Sequence, residues 1–501
     1  MELAPQPDNL NYLRKAPSGQ TRTKKDPPPM EMQAILERQK AAHLRDGEAS
    51  AELRIERIDR CIRLLRENRR EIEEALNTDF GSRSREATAF TDIAGSIGPL
   101  QHARDNLAKW MRPEKRKPTP AILGLFGAKA EVRFQPKGVV GVISPWNFPV
   151  NLTFAPLAGI LAAGNRAMIK PSEFTPATSE LMRTMFAGAF SEEEIAVVTG
   201  GPEVGETFSR LAFDHLIFTG ATSIARHVMK AAAENLVPLT LELGGKSPVI
   251  LGKSADLSVA AARVMNGKTL NAGQICLAPD YVLAPKDQVE GFVAAARASV
   301  STMFPTIKDN PDYTAIIAQR HYDRITGYID DARAKGARVI ELKPEGEDLT
   351  QQPHRKIAPT LILEPTDDMK VMQEEIFGPV LPVKSYQTLD EALDYVNGRD
   401  RPLGLYYFGD DAAEREEVLS RTTAGGVTVN DVVMHVAQED LPFGGVGPSG
   451  MGSYHGVDGF REFSHRKAVF SQMKKDIGPL KMLRPPFGPG IRKMLDGQIG
   501  R

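Results

Sequence analysis

The chain predicts an α/β protein: two doubly wound α/β domains with a small oligomerisation element. Three observations lead there: its length, the alternation of short apolar runs with helix-length segments, and the return of that alternation in a second series. At 501 residues the chain exceeds the size at which one hydrophobic core keeps growing, so two domains are expected. From Val139 the runs VVGVI, RAMI, IAVV, HLIF and PLTLEL alternate with segments long enough for helices. Uninterrupted apolar runs of this kind suit parallel strands covered on both faces. SPVIL, DYVLA, TLILEP and VLPVKSY form the second series, with a long helix near 287 to 301.

Each element follows in order. Residues 1–30 are rich in Pro, Gln, Lys and Arg, lack the apolar core of a signal peptide, and read as a mobile tail. A charged helical region runs from Met30 to Leu76, where Ile55, Ile58, Ile62, Leu65, Ile72 and Leu76 keep the three-and-four spacing of an amphipathic helix. Cys61 lies in that series and reads as a small core hydrophobe. NTDFG punctuates the pattern, and a second polar helix ends near Trp110. MRPEKRKPTP cannot be an uninterrupted helix, so 112–135 is expected to leave the main body before the first sheet begins. The first domain then spans 31–242, the second 243–440, and a final segment 441–501.

Composition excludes several classes of function. Lysine and arginine number 63 against 64 acids, which gives no electrostatic case for nucleic acid or an anionic membrane. Two cysteines in so long a chain cannot make a disulfide framework, and this suits a reducing, cytoplasmic setting. No window approaches the roughly 18 apolar residues of a transmembrane helix. The segment KMLRPPFGPGIRKMLDGQIGR, broken by Pro and Gly, fits either a membrane surface or packing on another subunit. The nine histidines form no ligand-spaced cluster with the cysteines, so no metal is expected, and His465 in FSHRK reads as structural.

The chemistry-bearing candidates begin with NAGQICLAPD, which sets Cys276 among small and polar residues instead of on an apolar helix face. A thiol so placed suits reaction, although free cysteines are commonly buried and inert. SPWNFP places Asn147 beside Trp146 in a turn after an apolar strand; the Asn amide can donate to an oxyanion or satisfy its own turn. KPSE puts Lys170 at the ligand-facing end of a parallel strand, with a solvated lysine before a helix as the alternative. LELGGKSP carries Glu242, a general base if burial raises its pKa, and otherwise a solvated or salt-bridged carboxylate. In EEIFGPV, Glu375 can accept from hydroxyls and Phe377 can form a flat apolar wall, or both simply belong to a strand-edge turn.

Together these blocks resemble the NAD(P)-dependent aldehyde dehydrogenase superfamily, over nearly the whole chain after the first thirty residues. APDY after Cys276 and FGGVGPSGMGSYHGVDGFREFSHRKAV resemble the class 3 group, and within it the bacterial coniferyl aldehyde dehydrogenases. The resemblance implies Cys276 as nucleophile, Asn147 as oxyanion donor and Glu242 as the base that activates water. It assigns Trp146, Lys170, Glu173, Gly220, Ala221, Glu375 and Phe377 to the cofactor, NAD with NADP possible. FTGATSIA, the pyrophosphate turn of the resemblance, departs from the common pattern at Ala221 and Ala225, so one hydroxyl contact is missing while Gly220, Ala221 and the helix N-terminus offer amides.

The implied reaction is oxidation of an aldehyde to a carboxylic acid through a thiohemiacetal and a thioester on Cys276. The expected substrate is coniferaldehyde or a related aromatic aldehyde. Alternatives are a medium- or long-chain aliphatic aldehyde, transfer of the acyl group to coenzyme A, or a non-catalytic protein on the same fold. Glu242 argues against acyl transfer, and the joint presence of Cys276, Asn147, Glu242 and Lys170 against a scaffold. The resemblance also implies a homodimer, with 112–135 and the C-terminal region at its interface.

Overall fold

The computed structural model describes residues 29–500 apart from 120 and 477. Of the expected tail, residues 1–28 lie outside the described residues, and 29 and 30 already open a helix, Pro29–Asp46. The charged N-terminal stretch is three helices, Pro29–Asp46, Ala51–Glu67 and Arg69–Phe80. Ser50 caps the second by accepting from the Leu53 amide. The next long helix, Gly95–Trp110, ends where the sequence places its end.

A parallel sheet forms where the first apolar series predicts it. Its six strands run in the order Gly450–Met451, Leu239–Glu242, His215–Thr219, Val139–Ile143, Arg166–Lys170 and Ile195–Val197. Every neighbouring pair is parallel except the first. Alternate residues feed two cores. Val140, Val142, Ile169 and Ile217 pack with Ala51–Glu67, Gly95–Trp110 and Asn151–Ala162, while Val139, Met168, Leu216 and Phe218 pack with Pro29–Asp46 and Thr222–Ala233. Both faces are therefore dry, which is why these strands read as continuous apolar runs.

The second series gives a seven-stranded sheet ordered Arg338–Glu341, Thr360–Leu363, Val380–Tyr386, Tyr281–Pro285, Pro248–Leu251, Gly404–Phe408 and Gly426–Val429. Only its Arg338–Glu341 edge is antiparallel. Ile250, Leu283 and Tyr407 point into one core, and Val249, Val282 and Tyr406 into the other.

The 112–135 excursion supplies Glu114–Arg116 and most of Lys129–Pro136, and these join Ser464–Ser471 in a separate antiparallel three-stranded sheet. His465 is exposed on that last strand, opposite Gln135. Among the described residues no helix is long and apolar enough to cross a membrane. The C-terminal helix Pro489–Ile499 is largely exposed, with Ile491 its buried contact.

This topology makes a crevice. Val139–Ile143 has Arg166–Lys170 on one side and His215–Thr219 on the other, so the connections leaving its end and that of His215–Thr219 diverge. Leu243–Ser247 then carries the chain from the end of one sheet to the start of a strand in the other. The C-terminal edge of the first sheet thus meets the N-terminal edge of the second.

Candidate active site

Cys276 sits in the loop between helix Leu257–Thr269 and strand Tyr281–Pro285, after a short turn in which Asn271 and Ala272 take left-handed φ values of 50° and 52°. Such backbone is costly for residues with a Cβ and persists only where its surroundings impose it. Here the fully buried Gln274 imposes it: Nε2 donates to the carbonyls of Asn271 (2.9 Å) and Ala315 (3.1 Å), and Oε1 accepts from the Ile317 amide (3.0 Å). Tyr406 Oη donates to the Leu277 carbonyl at 2.6 Å and fixes the other flank.

Asn147 is tied to this loop. Its Nδ2 donates to the Gln274 carbonyl at 3.1 Å, which leaves the second N–H of the amide for another acceptor. Its own carbonyl accepts from Asn271 Nδ2 (3.1 Å) and from Arg83 Nη1 (2.8 Å).

Glu242 ends its strand in a rigid setting: its carbonyl accepts from the Gly220 amide at 3.0 Å, and Gly450 pairs with it on the other side. Gly450 has φ 145°, and a Cβ there would lie 2.2 Å from the Leu241 carbonyl oxygen, so only glycine allows this pairing. The Glu242 side chain is buried, and Oε1 has no partner among the described residues. Burial holds its carboxyl well above the ordinary range.

Cys276 faces two carboxylates. Burial pushes its thiol up, Glu242 and Glu375 push it further, and the amides of Cys276 and Leu277 oppose them. The net effect holds the thiol above its ordinary pKa. Glu375 packs directly on the chain, since a Cβ on Gly244 would lie 2.2 Å from Oε1. Its pKa is raised to about 8 by burial and then by Asp280, against the Gly245 amide, Lys246 and Arg324.

Asp280 anchors a buried charged group that the sequence reading missed, although both LGGKSP and APDY were singled out. It pairs with Lys246 at 2.6 Å, lies 3.6 Å from Lys268, and accepts from the Ile376 amide at 3.2 Å. Lys246 also donates to the carbonyls of Val371 (2.8 Å) and Glu374 (2.9 Å), which locks the segment before Glu375. Burial lowers Lys268 to about 8. Tyr454, also unassigned from sequence, is buried within electrostatic reach of Cys276, Glu242 and Glu439.

The remaining candidates follow strand ends of the first sheet or adjoin Glu375. Lys170 is buried at its strand end and donates to Glu173 Oε2 (3.0 Å) and the Pro171 carbonyl (3.1 Å). Trp146 meets Phe377 edge to face, ring centroids 5.3 Å apart, and lies 5.2 Å from His321. Ala221 precedes helix Thr222–Ala233 with no side chain capping its first amides. The Gly220 amide is engaged by Glu242, so the donors open to a phosphate begin at Ala221. The structure thus brings Cys276, Asn147, Glu242 and Glu375 together, and pairs Lys170 with Glu173 and Trp146 with Phe377.

A partly buried thiol, an amide with a spare N–H and an unpartnered carboxyl thus lie together where the two doubly wound sheets meet. The chain belongs to the aldehyde dehydrogenase family, whose model matches residues 23–469. It is an enzyme that oxidises an aldehyde to a carboxylic acid. Two relatives are similar over nearly their whole length. A probable coniferyl aldehyde dehydrogenase of Caulobacter vibrioides is 76% identical over 93% of this chain and 96% of its own. A coniferyl aldehyde dehydrogenase of a Pseudomonas species is 56% identical over 92% and 95%. Among solved structures, the substrate-bound state of Staphylococcus aureus AldH superposes with TM-score 0.86 at 34% identity, covering 93% of this chain and 99% of that one. A Mycobacterium tuberculosis aldehyde dehydrogenase complexed with NAD+ gives 0.80 at 27% identity, covering 90% and 92%.

Proposed function

We propose that this enzyme oxidises coniferaldehyde or a related aromatic aldehyde with NAD. The mechanism rests on one observation: Asn147 is hydrogen-bonded to the loop of Cys276 while the unpartnered Glu242 carboxyl lies within electrostatic reach of its thiol. Cys276 Sγ releases its proton to solvent and, as the thiolate, bonds to the aldehyde carbon; the spare N–H of Asn147 and the Cys276 amide stabilise the oxyanion. When bound, NAD supplies the acceptor for the aldehyde hydrogen as hydride. Glu242 then takes a proton from water, whose oxygen bonds to the thioester carbon as the C–S bond breaks and the acid leaves.

The crevice residues fit NAD. Glu375 carries an unpartnered oxygen, Trp146 and Phe377 form an aromatic wall, and the uncapped amides from Ala221 onward suit a pyrophosphate. Glu173 can accept from a ribose hydroxyl and disfavours a 2′-phosphate, while Lys170 beside it blunts that repulsion and leaves NADP usable.

The names of the two similar relatives support the aromatic substrate. The test is a panel of coniferaldehyde, a medium-chain alkanal and acetaldehyde, read by absorbance of reduced nicotinamide. Coniferaldehyde is expected to give the highest kcat/KM, because a ring and its alkenyl arm bury apolar area that a two-carbon aldehyde lacks. Preference for the alkanal would remove the aromatic assignment. A homodimer through the three-stranded sheet is supported by the exposed Leu125, Phe126 and Phe470, and is checked by light scattering. The two free cysteines support a cytoplasmic location, which cell fractionation tests.

A further inference from the structure

We infer that Arg83, paired with Asp92, is a positioning residue for the oxyanion-binding amide of Asn147. Both act through the SPWNFP turn and not on the reacting atoms. The inference rests on Asn147 being the oxyanion donor.

The geometry is that of a clamp. Arg83 Nη2 lies 2.6 Å from Asp92 Oδ2, and the two side chains are 1% and 0% exposed. Arg83 Nη1 donates to the Asn147 carbonyl at 2.8 Å. Asp92 Oδ1 accepts from the amides of Val150 (3.2 Å) and Asn151 (3.3 Å), where helix Asn151–Ala162 begins. One ion pair therefore holds the turn at Asn147 and again just beyond it. The guanidinium also lies over the rings of Phe80 (4.6 Å) and Phe148 (5.2 Å), and Phe148 is the residue after Asn147.

Stability alone is a poor reason for this arrangement. A buried ion pair commonly contributes no more than a well-packed apolar pair of the same volume, because both charges lose their hydration. What apolar side chains cannot supply is direction. Two nitrogens of one planar guanidinium engage two acceptors at once, Asn147 O and Asp92 Oδ2, and thereby fix the peptide that carries the Asn147 side chain. A lysine has one nitrogen and cannot reproduce that fork. Misplacing a catalytic group by about 1 Å can cost on the order of a hundredfold in rate.

The test is a double-mutant cycle. Arg83→Lys is made in the native chain and in Asn147→Ala, and the single-turnover rate of reduced-cofactor formation is measured alongside NAD affinity by protein fluorescence. In the native chain the rate is expected to fall about thirtyfold with NAD affinity changed less than about twofold; in the Asn147→Ala background the same change should cost less than about threefold. Equal loss in both backgrounds, or no loss in the native chain, overturns the inference, since a general structural role does not depend on the Asn147 amide. If Asn147→Ala by itself leaves the rate unchanged, the oxyanion assignment fails, and this is visible independently. Asp92→Asn provides a second variant should Arg83→Lys fold poorly. It keeps the guanidinium but weakens its anchor, and its smaller loss must likewise shrink in Asn147→Ala.

Discussion

The two thiols of this chain are both removed from bulk solvent, yet their surroundings differ in kind. Cys61 is fully buried on helix Ala51–Glu67, in a core shared with Ile58, Ile62, Leu65 and Leu161. Cys276 is only partly buried and faces Glu242 and Glu375, with two amides turned to its sulfur. Burial raises both thiols. Loss of hydration therefore does not distinguish an inert cysteine from a nucleophile. What does is the company: a thiolate at Cys276 would have amide donors and a neighbouring carboxylate, whereas one at Cys61 would have only the charge of Arg60, opposed by Glu56.

The largest expected effect breaks the comparison at the proposed nucleophile. Cys276→Ser should lower turnover by at least about a thousandfold while leaving NAD affinity intact, because the hydroxyl is a far weaker nucleophile near neutral pH. Steady-state rates and a cofactor titration check it, and turnover near the native rate would remove Cys276 from the mechanism. Glu242→Gln should be next. Gln cannot accept the water proton, so thioester hydrolysis slows by roughly 10²–10⁴. Stopped-flow traces should show a burst of reduced cofactor followed by a depressed steady rate; equal loss in both phases would give Glu242 an earlier role.

A smaller effect comes from the second carboxylate. A raised carboxyl pKa means that Glu375 is neutral below about 8 and anionic above it, and its anion holds the Cys276 thiol up. The rate of acylation should therefore rise with pH through the alkaline range, as the thiolate fraction grows. Glu375→Gln removes the opposing charge and should shift that rise to lower pH. Single-turnover rates across pH read the shift directly. A rise displaced to higher pH would contradict the electrostatic account.

The same contrast explains what the sequence discloses. Strands such as Val139–Ile143 are legible because both faces are apolar and the run is short, β-branched and bounded by turn residues. Cys276 and Glu242 stand out because reactive groups occur there among glycines and small residues. Arg83, Asp92, Lys246 and Asp280 stay hidden, since a charged residue in sequence reads as solvent-facing and only the fold shows its buried partner. Gly450–Met451 joining the sheet beside Glu242 is equally unreadable, because the pairing spans about two hundred residues with no local pattern.

The smallest effect on chemistry should come from Cys61→Ser, and it sharpens the comparison from the inert side. The substitution slightly reduces the volume and places a hydroxyl in a predominantly apolar core. A hydroxyl buried without a partner costs about 1–3 kcal/mol by protein mutational data. Cys61 lies against helix Gly95–Trp110 and helix Asn151–Ala162 in one shared core, so the penalty falls on the packing of the first domain and not on the crevice. The midpoint of denaturant unfolding should drop, while kcat for the folded protein stays within about twofold of the native value, since no catalytic group changes its partners. Titration of unfolding by circular dichroism and an activity assay on the same sample measure both. A loss of turnover without a loss of stability would mean that Cys61 communicates with the crevice, and the distinction drawn from its apolar company would fail.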